Sequence, residues 1–399
     1  MGPQIDQLID PPAGWAPNWL REVFFSAIIE ALGADTVCFV GGAVRDSLLG
    51  LPAADVDMAT SHRPDAVQRL LGAASIKCIP TGLKHGTVTA VQAGQSCEIT
   101  TLRRDVDTDG RHADVEFTDD WRADAERRDF TINALYLTPG GKIFDPVGGL
   151  ADLKQKRLRF IGDAEQRIRE DALRILRFYR FSARFAEGID AVGQAACANC
   201  IEMIDGLSVE RIRDEILKTF AQPDIMPIVK LMDESRVLHR VFGGDWLPKS
   251  IEDYCANEAR LNAKINPLVR LYMLSGGQLS ASETACKFKL SNDDLQLLEG
   301  IEKVGCQAPI ETEADIRRCF YMFGKPATLA AQVIRGSAAH GLVEQLSSEW
   351  AVPVFPVKGR DLIALGDEPG TELGKRLSRL EKEWIASDFS LTKKQLLSI

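Results

Sequence analysis

Two aspartates, Asp55 and Asp57, stand two residues apart in the stretch GGAVRDSLLGLPAADVDMAT, residues 41–60. Alternate residues of an extended strand project to one face, so an alternating run over 54–59 predicts two carboxylates side by side. Like charges held that close are unfavourable unless a cation lies between them. Mg²⁺ suits such a pair, because it is a hard ion that takes one or two carboxylates and completes its shell with water and substrate phosphates. Upstream, Gly41 and Gly42 precede a helix start, where bare backbone can approach a phosphate and the amide dipoles favour an anion. Arg45 adds a cation in the first turn of that helix. Each piece has a plainer use, the aspartates as a solvated strand edge and the glycines as a turn. Together they describe phosphoryl or nucleotidyl transfer, in which metals neutralise charge and align an in-line attack. Neither GxxxxGK[ST] nor GxGxxG occurs, which removes the two commonest phosphate-binding alternatives.

A second constellation, RRDFTINALYLTPGGKIFDPVGG, spans 127–149. Arg127 and Arg128 precede a strand-like run over 131–137 and read either as a surface pair or as a triphosphate clamp. Asp145-Pro146 with Gly148-Gly149 reads as a turn. A third, GDAEQRIREDALRILRFYRFSARF at 162–185, predicts one helix capped by Asp163. Its apolar face is Ile168, Ala172, Ile175, Leu176, Tyr179 and Ala183. Asp171 and Arg174, three apart, are neighbours on another face, and Glu170 can pair with Arg174 at i,i+4. Cytosine and adenine each show an exocyclic amino donor beside a ring-nitrogen acceptor, whereas guanine and uracil show the reverse. A carboxylate only accepts and a guanidinium only donates, so a fixed Asp/Arg pair would take C and A and reject G and U.

The elements that must position these residues are mixed in the first half and helical in the second. Strand-like runs at 36–40, 54–59, 87–91, 98–102 and 131–137 give way from about residue 162 to a nearly all-helical pattern. Gly188, Pro223, Gly243-Gly244, Pro267 and Gly276-Gly277 act as local stops. The fold class expected is therefore α+β, a head of sheet and helices followed by a helical body. The polar stretch 103–119, RRDVDTDGRHADVEFTD, reads first as a solvated loop and second as a mobile loop beside the active site. The net charge of −9 argues against a whole-surface nucleic-acid binder but leaves room for a local basic face, and residues 154–184 are locally basic. Nine cysteines lack regular spacing, and the one CxxC, Cys197 and Cys200, has no second pair at zinc-ribbon distance. No secretory start and no spanning apolar run occurs, so a cytoplasmic protein with no membrane association is expected.

The three stretches together resemble the class II tRNA nucleotidyltransferases, the CCA-adding enzymes, and their relatives the bacterial poly(A) polymerases, over about Phe39 to Phe185. The resemblance implies a polymerase-β-like nucleotidyltransferase head followed by an all-helical neck, body and tail. The division expected is an N-terminal extension at 1–22, the head at 23–151, a neck with the base-reading helix at 152–215, and body and tail at 216–399. It implies Asp55 and Asp57 as the catalytic, metal-holding pair for Mg²⁺, with Glu98 as a supporting carboxylate. Gly42, Arg45 and Arg128 match nucleotide-phosphate contacts, Asp171 and Arg174 the base-reading pair, and Arg177 and Arg180 further nucleotide contacts. The substrates implied are CTP, ATP and the 3′ end of tRNA, with no protein partner. The stretches 80–91 and 108–118 look like the CCA-adding branch rather than the poly(A) branch. Addition of C only or A only, poly(A) synthesis, and an inactive RNA-binding protein on the same scaffold are the competing readings. The segment 355–384 resembles the terminal helical region of some bacterial members, with Lys358, Arg360 and Lys375 expected to dock tRNA. Absence of any His-Asp dipeptide predicts no fused phosphohydrolase activity.

Overall fold

The computed structural model describes residues 2–3, 7–53, 55–108, 113–243, 248–310 and 312–399; residues 105–108, 113–115 and 248 are described as backbone only. The chain divides into two compact units, 1–243 and 244–399.

The first unit is built on a mixed sheet. Its strands are β1 (Leu8–Ile9), β2 (Val37–Val40), β3 (Asp57–Thr60), β4 (Lys77–Gly82), β5 (Thr87–Gln92), β6 (Gln95–Thr101), β9 (Tyr136–Leu137) and β10 (Ile143–Phe144), in the order β1-β10-β9-β2-β3-β6-β5-β4. Every pair is antiparallel except β3 with β6. All four residues of β2 are buried, as befits a central strand covered on both faces. Helices α1 (Val23–Leu32), α2 (Gly42–Leu48), α3 (Pro64–Ala73) and α4 (Trp121–Glu126) belong to this part of the chain. Phe25 of α1 meets Trp19 and Phe39 edge to face. Trp121, Tyr136, Phe144 and Ile161 close a core with Cys38, Val40 and Ala59.

Two sequence expectations fail here. The stretch 103–119 is not a loop: β7 (Arg103–Thr108) and β8 (Ala113–Phe117) pair as a separate antiparallel hairpin. Charge hid its strand character, because Arg104 and Glu116 face each other across the ladder at 2.6 Å, a favourable cross-strand pair. The residues between its strands, 109–112, lie outside the described residues. The expected strand over 131–137 is a 3-10 turn at Thr131–Asn133 and only then β9. Thr131 turns because its hydroxyl donates to buried Asp152 at 2.6 Å and its amide to the Arg159 carbonyl.

The DPVGG turn is structural. Asp145 accepts from the amides of Gly149 and Leu150 at the start of α5 (Gly149–Lys154). A Cβ on Gly149 would stand 2.2 Å from the Thr131 carbonyl oxygen. Gly149→Ala is expected to cost about 3 kcal/mol or more, because backbone must move; a denaturation midpoint like that of the parent chain would refute this.

Beyond the sheet the first unit is helical. It comprises α6 (Ala164–Glu170), α7 (Leu173–Phe185), α8 (Ala191–Asn199), α9 (Val209–Phe220), α10 (Met226–Glu234) and α11 (Val237–Phe242). Asp163 caps α6 as expected, accepting from the Gln166 amide. The single helix read from the sequence is broken, however. Asp171 is extended, with φ −153° and ψ 104°, and its carboxylate accepts from the Leu173 amide. The apolar face read across 168–183 survives the break as far as Tyr179, because Ile168, Ala172, Ile175, Leu176 and Tyr179 are buried, while Ala183 is half-buried.

Among the described residues of the second unit the regular elements are all helices: α12 (Pro248–Arg260), α13 (Pro267–Leu274), α14 (Ala281–Phe288), α15 (Asn292–Gly305), α16 (Glu313–Phe323), α17 (Lys325–Arg335), α18 (His340–Glu349), α19 (Gly359–Ile363), α20 (Thr371–Ala386) and α21 (Lys393–Leu397). Ser280, Ser291, Thr312 and Thr392 each close a capping box with the residue three further on. Two small cores hold its end together, one around Phe320 and one around Trp384. Among the described residues, no helix is long and apolar enough to cross a membrane.

Candidate active site

Strand register brings the first constellation together. Val40, the last residue of β2, pairs antiparallel with Asp57, the first residue of β3. The turn at Gly41, with φ +75°, therefore leaves the sheet beside the point where Asp57 enters it. On the other side, parallel β6 sets Ile99 against Met58, so Glu98 and Asp57 precede one paired couple and neighbour each other. Asp55 is exposed and lies just before β3. The strand is shorter than its alternation predicted, and only Asp57 of the two aspartates belongs to it. Ala54, beside Asp55, lies outside the described residues.

These carboxylates sense one another. Burial first, then the charges of Glu98 and Asp55, push Asp57 up from its ordinary 3.8 to about 6, with Arg128 opposing. Among the described residues, no three His, Cys, Asp or Glu side chains are arranged to enclose a metal ion. The donor set still suits Mg²⁺, which needs only one or two carboxylates when a substrate supplies phosphate oxygens. A raised carboxylate binds its proton more readily in the folded chain than in the unfolded one. Without divalent ion, stability should therefore fall as pH rises from 3.8 to about 6. Asp57→Asn should raise the stability of the metal-free chain at neutral pH by on the order of 1 kcal/mol; calorimetry showing no gain would contradict it.

Arg128 sits over the glycine turn. Its Nη1 lies 3.7 Å from where a Gly41 Cβ would be. Nη2 donates to Asp124 at 3.1 Å and Nε to the Tyr136 hydroxyl at 3.2 Å. Asp124 is buried, yet Arg128 and Arg127 hold its carboxyl well below the usual range. Arg127, which also reads as part of a clamp, is bound to Asp124 at 2.7 Å.

Arg45 is deeper than the sequence suggests. It is 4% exposed, with Nε donating to Asp46 at 2.8 Å and Nη1 to Asn133. Its guanidinium lies 4.2 Å from the Phe185 ring centre. Burial lowers its pKa, with Asp46 opposing.

The structure does not pair Asp171 with Arg174. Asp171 meets Arg211 of α9 at 2.8 Å, and Arg174 meets Glu170 at 2.7 Å, the i,i+4 contact also read from the sequence. Arg174 further donates to the carbonyls of Arg167 and Arg127. The break at Asp171 separates the two residues, so helical spacing no longer applies. Arg177 donates to buried Asp129 at 2.7 Å, and Arg180 meets buried Glu215 at 2.7 Å. Arg180 also lies 4.2 Å from the Phe181 ring centre, and burial lowers its pKa to about 10.

Sequence reasoning missed the carboxylates that hold these cations: Asp46, Asp124, Asp129 and Glu215. Asp46 and Asp129 each directly follow a singled-out arginine, a signal open to notice. Glu215 carries none, because it lies 35 or more residues from its partners in the chain. Lys358 and Lys375 engage acidic neighbours: the Lys358 amide donates to Asp361, and Lys375 pairs with Glu372. Cys197 and Cys200 are both buried free thiols.

The chain matches two family descriptions, "Poly A polymerase head domain" at residues 37–159 and "Probable RNA and SrmB- binding site of polymerase A" at 189–244. It is 35% identical over 376 residues to the mitochondrial CCA tRNA nucleotidyltransferase 1 of Mus musculus, covering 90% of this chain and 85% of that one. It is 31% identical over 391 residues to the CCA-adding enzyme of Lacticaseibacillus paracasei, covering 93% of each. Among solved structures it resembles the Bacillus stearothermophilus CCA-adding enzyme in complex with CTP, with a TM-score of 0.75 and 26% identity over 94% of this chain and 96% of that one.

Proposed function

Since the chain belongs to the CCA-adding tRNA nucleotidyltransferases, we propose that its acidic edge at Asp55 and Asp57 is where CMP and AMP are joined to the tRNA 3′ end. By this reading CTP and ATP are the substrates and no nucleic-acid template takes part; the structure of the Bacillus stearothermophilus relative is a complex with CTP. The tRNA 3′ hydroxyl attacks the α-phosphate and pyrophosphate leaves. The observation that carries the site assignment is the register that sets Asp57, Glu98 and the Gly41 turn at one end of the sheet, with Arg128 above the turn.

Mg²⁺ held by Asp55 and Asp57 would supply charge neutralisation at the reacting phosphate. Gly42 gives the phosphates access to backbone, and Arg128, already fixed by Asp124 and Tyr136, meets them as a cation that need not reorganise. Arg45 supports the same turn from within, and its burial suits it to positioning the turn. Asp171 and Arg174 read the base edge, which requires Asp171 to leave Arg211 or to share it. Arg177 and Arg180 complete the nucleotide's surroundings, held by Asp129 and Glu215. Glu98, whose charge helps push Asp57 up, stands beside it as a supporting carboxylate for the ion. By this reading 23–151 is the catalytic head, 152–215 the neck, and 216–399 the body and tail. The nine unpaired thiols favour a reducing compartment, and the cytoplasm is our assignment.

The test is to incubate the protein and Mg²⁺ with tRNA transcripts ending before CCA, after C and after CC. CTP and ATP are supplied separately and together. Completion of all three, stopping at the terminal A, is the expected result. Long ATP-dependent tails would indicate poly(A) synthesis, and partial completion would indicate division of labour with another enzyme.

A further inference from the structure

The second unit contains a cavity of about 560 Å³ among α12, the turn at 261–266, α17 and α18. Packed interiors keep few voids larger than a water molecule, whereas this volume is typical of small-molecule sites. Its walls are mainly apolar, with Leu329, Ala330 and Val333 of α17 facing Ile265 of the turn. Helix α18 presents His340 and Glu344 to it at i and i+4.

Some of its polar groups are engaged, Lys325 Nζ with the carbonyls of Ser347 and Trp350 and Asn266 with the Leu268 amide, but three others are not. His340 is 4% exposed, and its ring makes no hydrogen bond to any described residue. Its ring nitrogens are not sealed in packed protein but open onto the cavity, where a guest atom can meet them. Glu344 and Lys264 line the same cavity, both exposed, and neither forms an ion pair among the described residues.

We propose that this cavity is a second nucleotide site, which holds one base between its apolar walls and its phosphate at Lys264. A base is apolar on its faces and polar at its edge, matching slot and rim together. Glu344 accepts from an exocyclic amino group, and the His340 ring donates or accepts beside it. A hydrocarbon guest would leave both unanswered. Choosing a nucleotide rests on the reading of this chain as an enzyme acting on RNA. Two sources share the chemistry: a free nucleotide, or an unstacked residue of the bound tRNA.

The test follows the imidazole proton resonance of His340 in the full chain without divalent ion, so that no turnover occurs. The resonance is assigned by its loss in His340→Gln. AMP, CMP and a tRNA ending before CCA are titrated in turn. A saturable shift is expected, lost in Ala330→Phe, which fills the cavity, and weakened about tenfold by Lys264→Glu. Response to AMP or CMP identifies free nucleotide as the source, and response to tRNA alone identifies an RNA residue. No shift with any of the three overturns the site, as does an unchanged midpoint in Ala330→Phe. Should that variant fail to fold, the surface changes Lys264→Glu and Glu344→Gln decide, and unaltered midpoints in both overturn it. The transcript-extension assay is scored separately. A chain that extends tRNA without a His340 shift loses only this site, and a chain that shifts without extending loses the catalytic reading.

Discussion

Asp57→Asn is expected to lower CMP and AMP addition about a thousandfold while tRNA binding persists, because it removes one carboxylate of a pair and leaves the RNA-binding surface intact. The substitution is close in shape, so lost activity will not reflect collapse. The apo chain should in fact be more stable, since Asp57 is held up to about 6 by burial and by the charges of Glu98 and Asp55. A site that destabilises its own fold until a cation and substrate arrive is a mark of function. Asp55→Asn should lose activity comparably but gain little stability, because Asp55 is exposed. Single-turnover extension of a tRNA ending in CC, with affinity measured by filter binding, separates the effects. Normal turnover by either variant would sink the assignment of the metal-holding pair.

Asp171→Ala is expected to relax the choice of CTP over UTP by about ten- to a hundredfold before it abolishes addition. A wrong base leaves buried polar groups unpaired, at roughly 1–3 kcal/mol each. Arg174→Ala should do more harm to rate. Its guanidinium also ties the start of α7 to the carbonyls of Arg127 and Arg167, so its loss loosens the link between the RRD segment and α7. The two variants thus differ in kind, one chiefly in selectivity and the other in both selectivity and kcat. Competition between CTP and UTP on a tRNA lacking CCA measures this directly, and unaltered discrimination in both would overturn the base-reading role.

The same two segments show how far the sequence could be read. Spacing alone set Asp55 and Asp57 near one another and read Gly41-Gly42 as a turn before a helix, because those relations are local, whereas strand register brings that turn beside Asp57. Helical periodicity found the buried face of 168–179, and Gly188, Pro223, Gly243 and Gly276 follow the ends of α7, α9, α11 and α13, whereas Pro267 opens α13. Local patterns also misled. The hairpin at 103–117 carries so many charges that it read as a loop, and 131–137 looked like a strand although Asp152 and Arg159, distant in sequence, turn it. Helical spacing likewise predicted that Asp171 and Arg174 share a face, when the chain is extended at Asp171.

By itself, then, the sequence determined which chemistry is available: paired carboxylates, bare backbone for phosphate, and basic groups in order along the chain. The tertiary structure alone decided which of those groups are held and by what. Asp124 fixes Arg128, Asp129 fixes Arg177, Glu215 fixes Arg180, and Asp46 with Asn133 fixes Arg45. A buried cation must find an anion or acceptor to offset lost hydration; Asp46 and Asp124 are chain neighbours of their arginines, but Asp129, Glu215 and Asn133 reach theirs only through strand and helix packing, 35 or more residues away. That is why residue types could be read from the sequence and the distant partners could not.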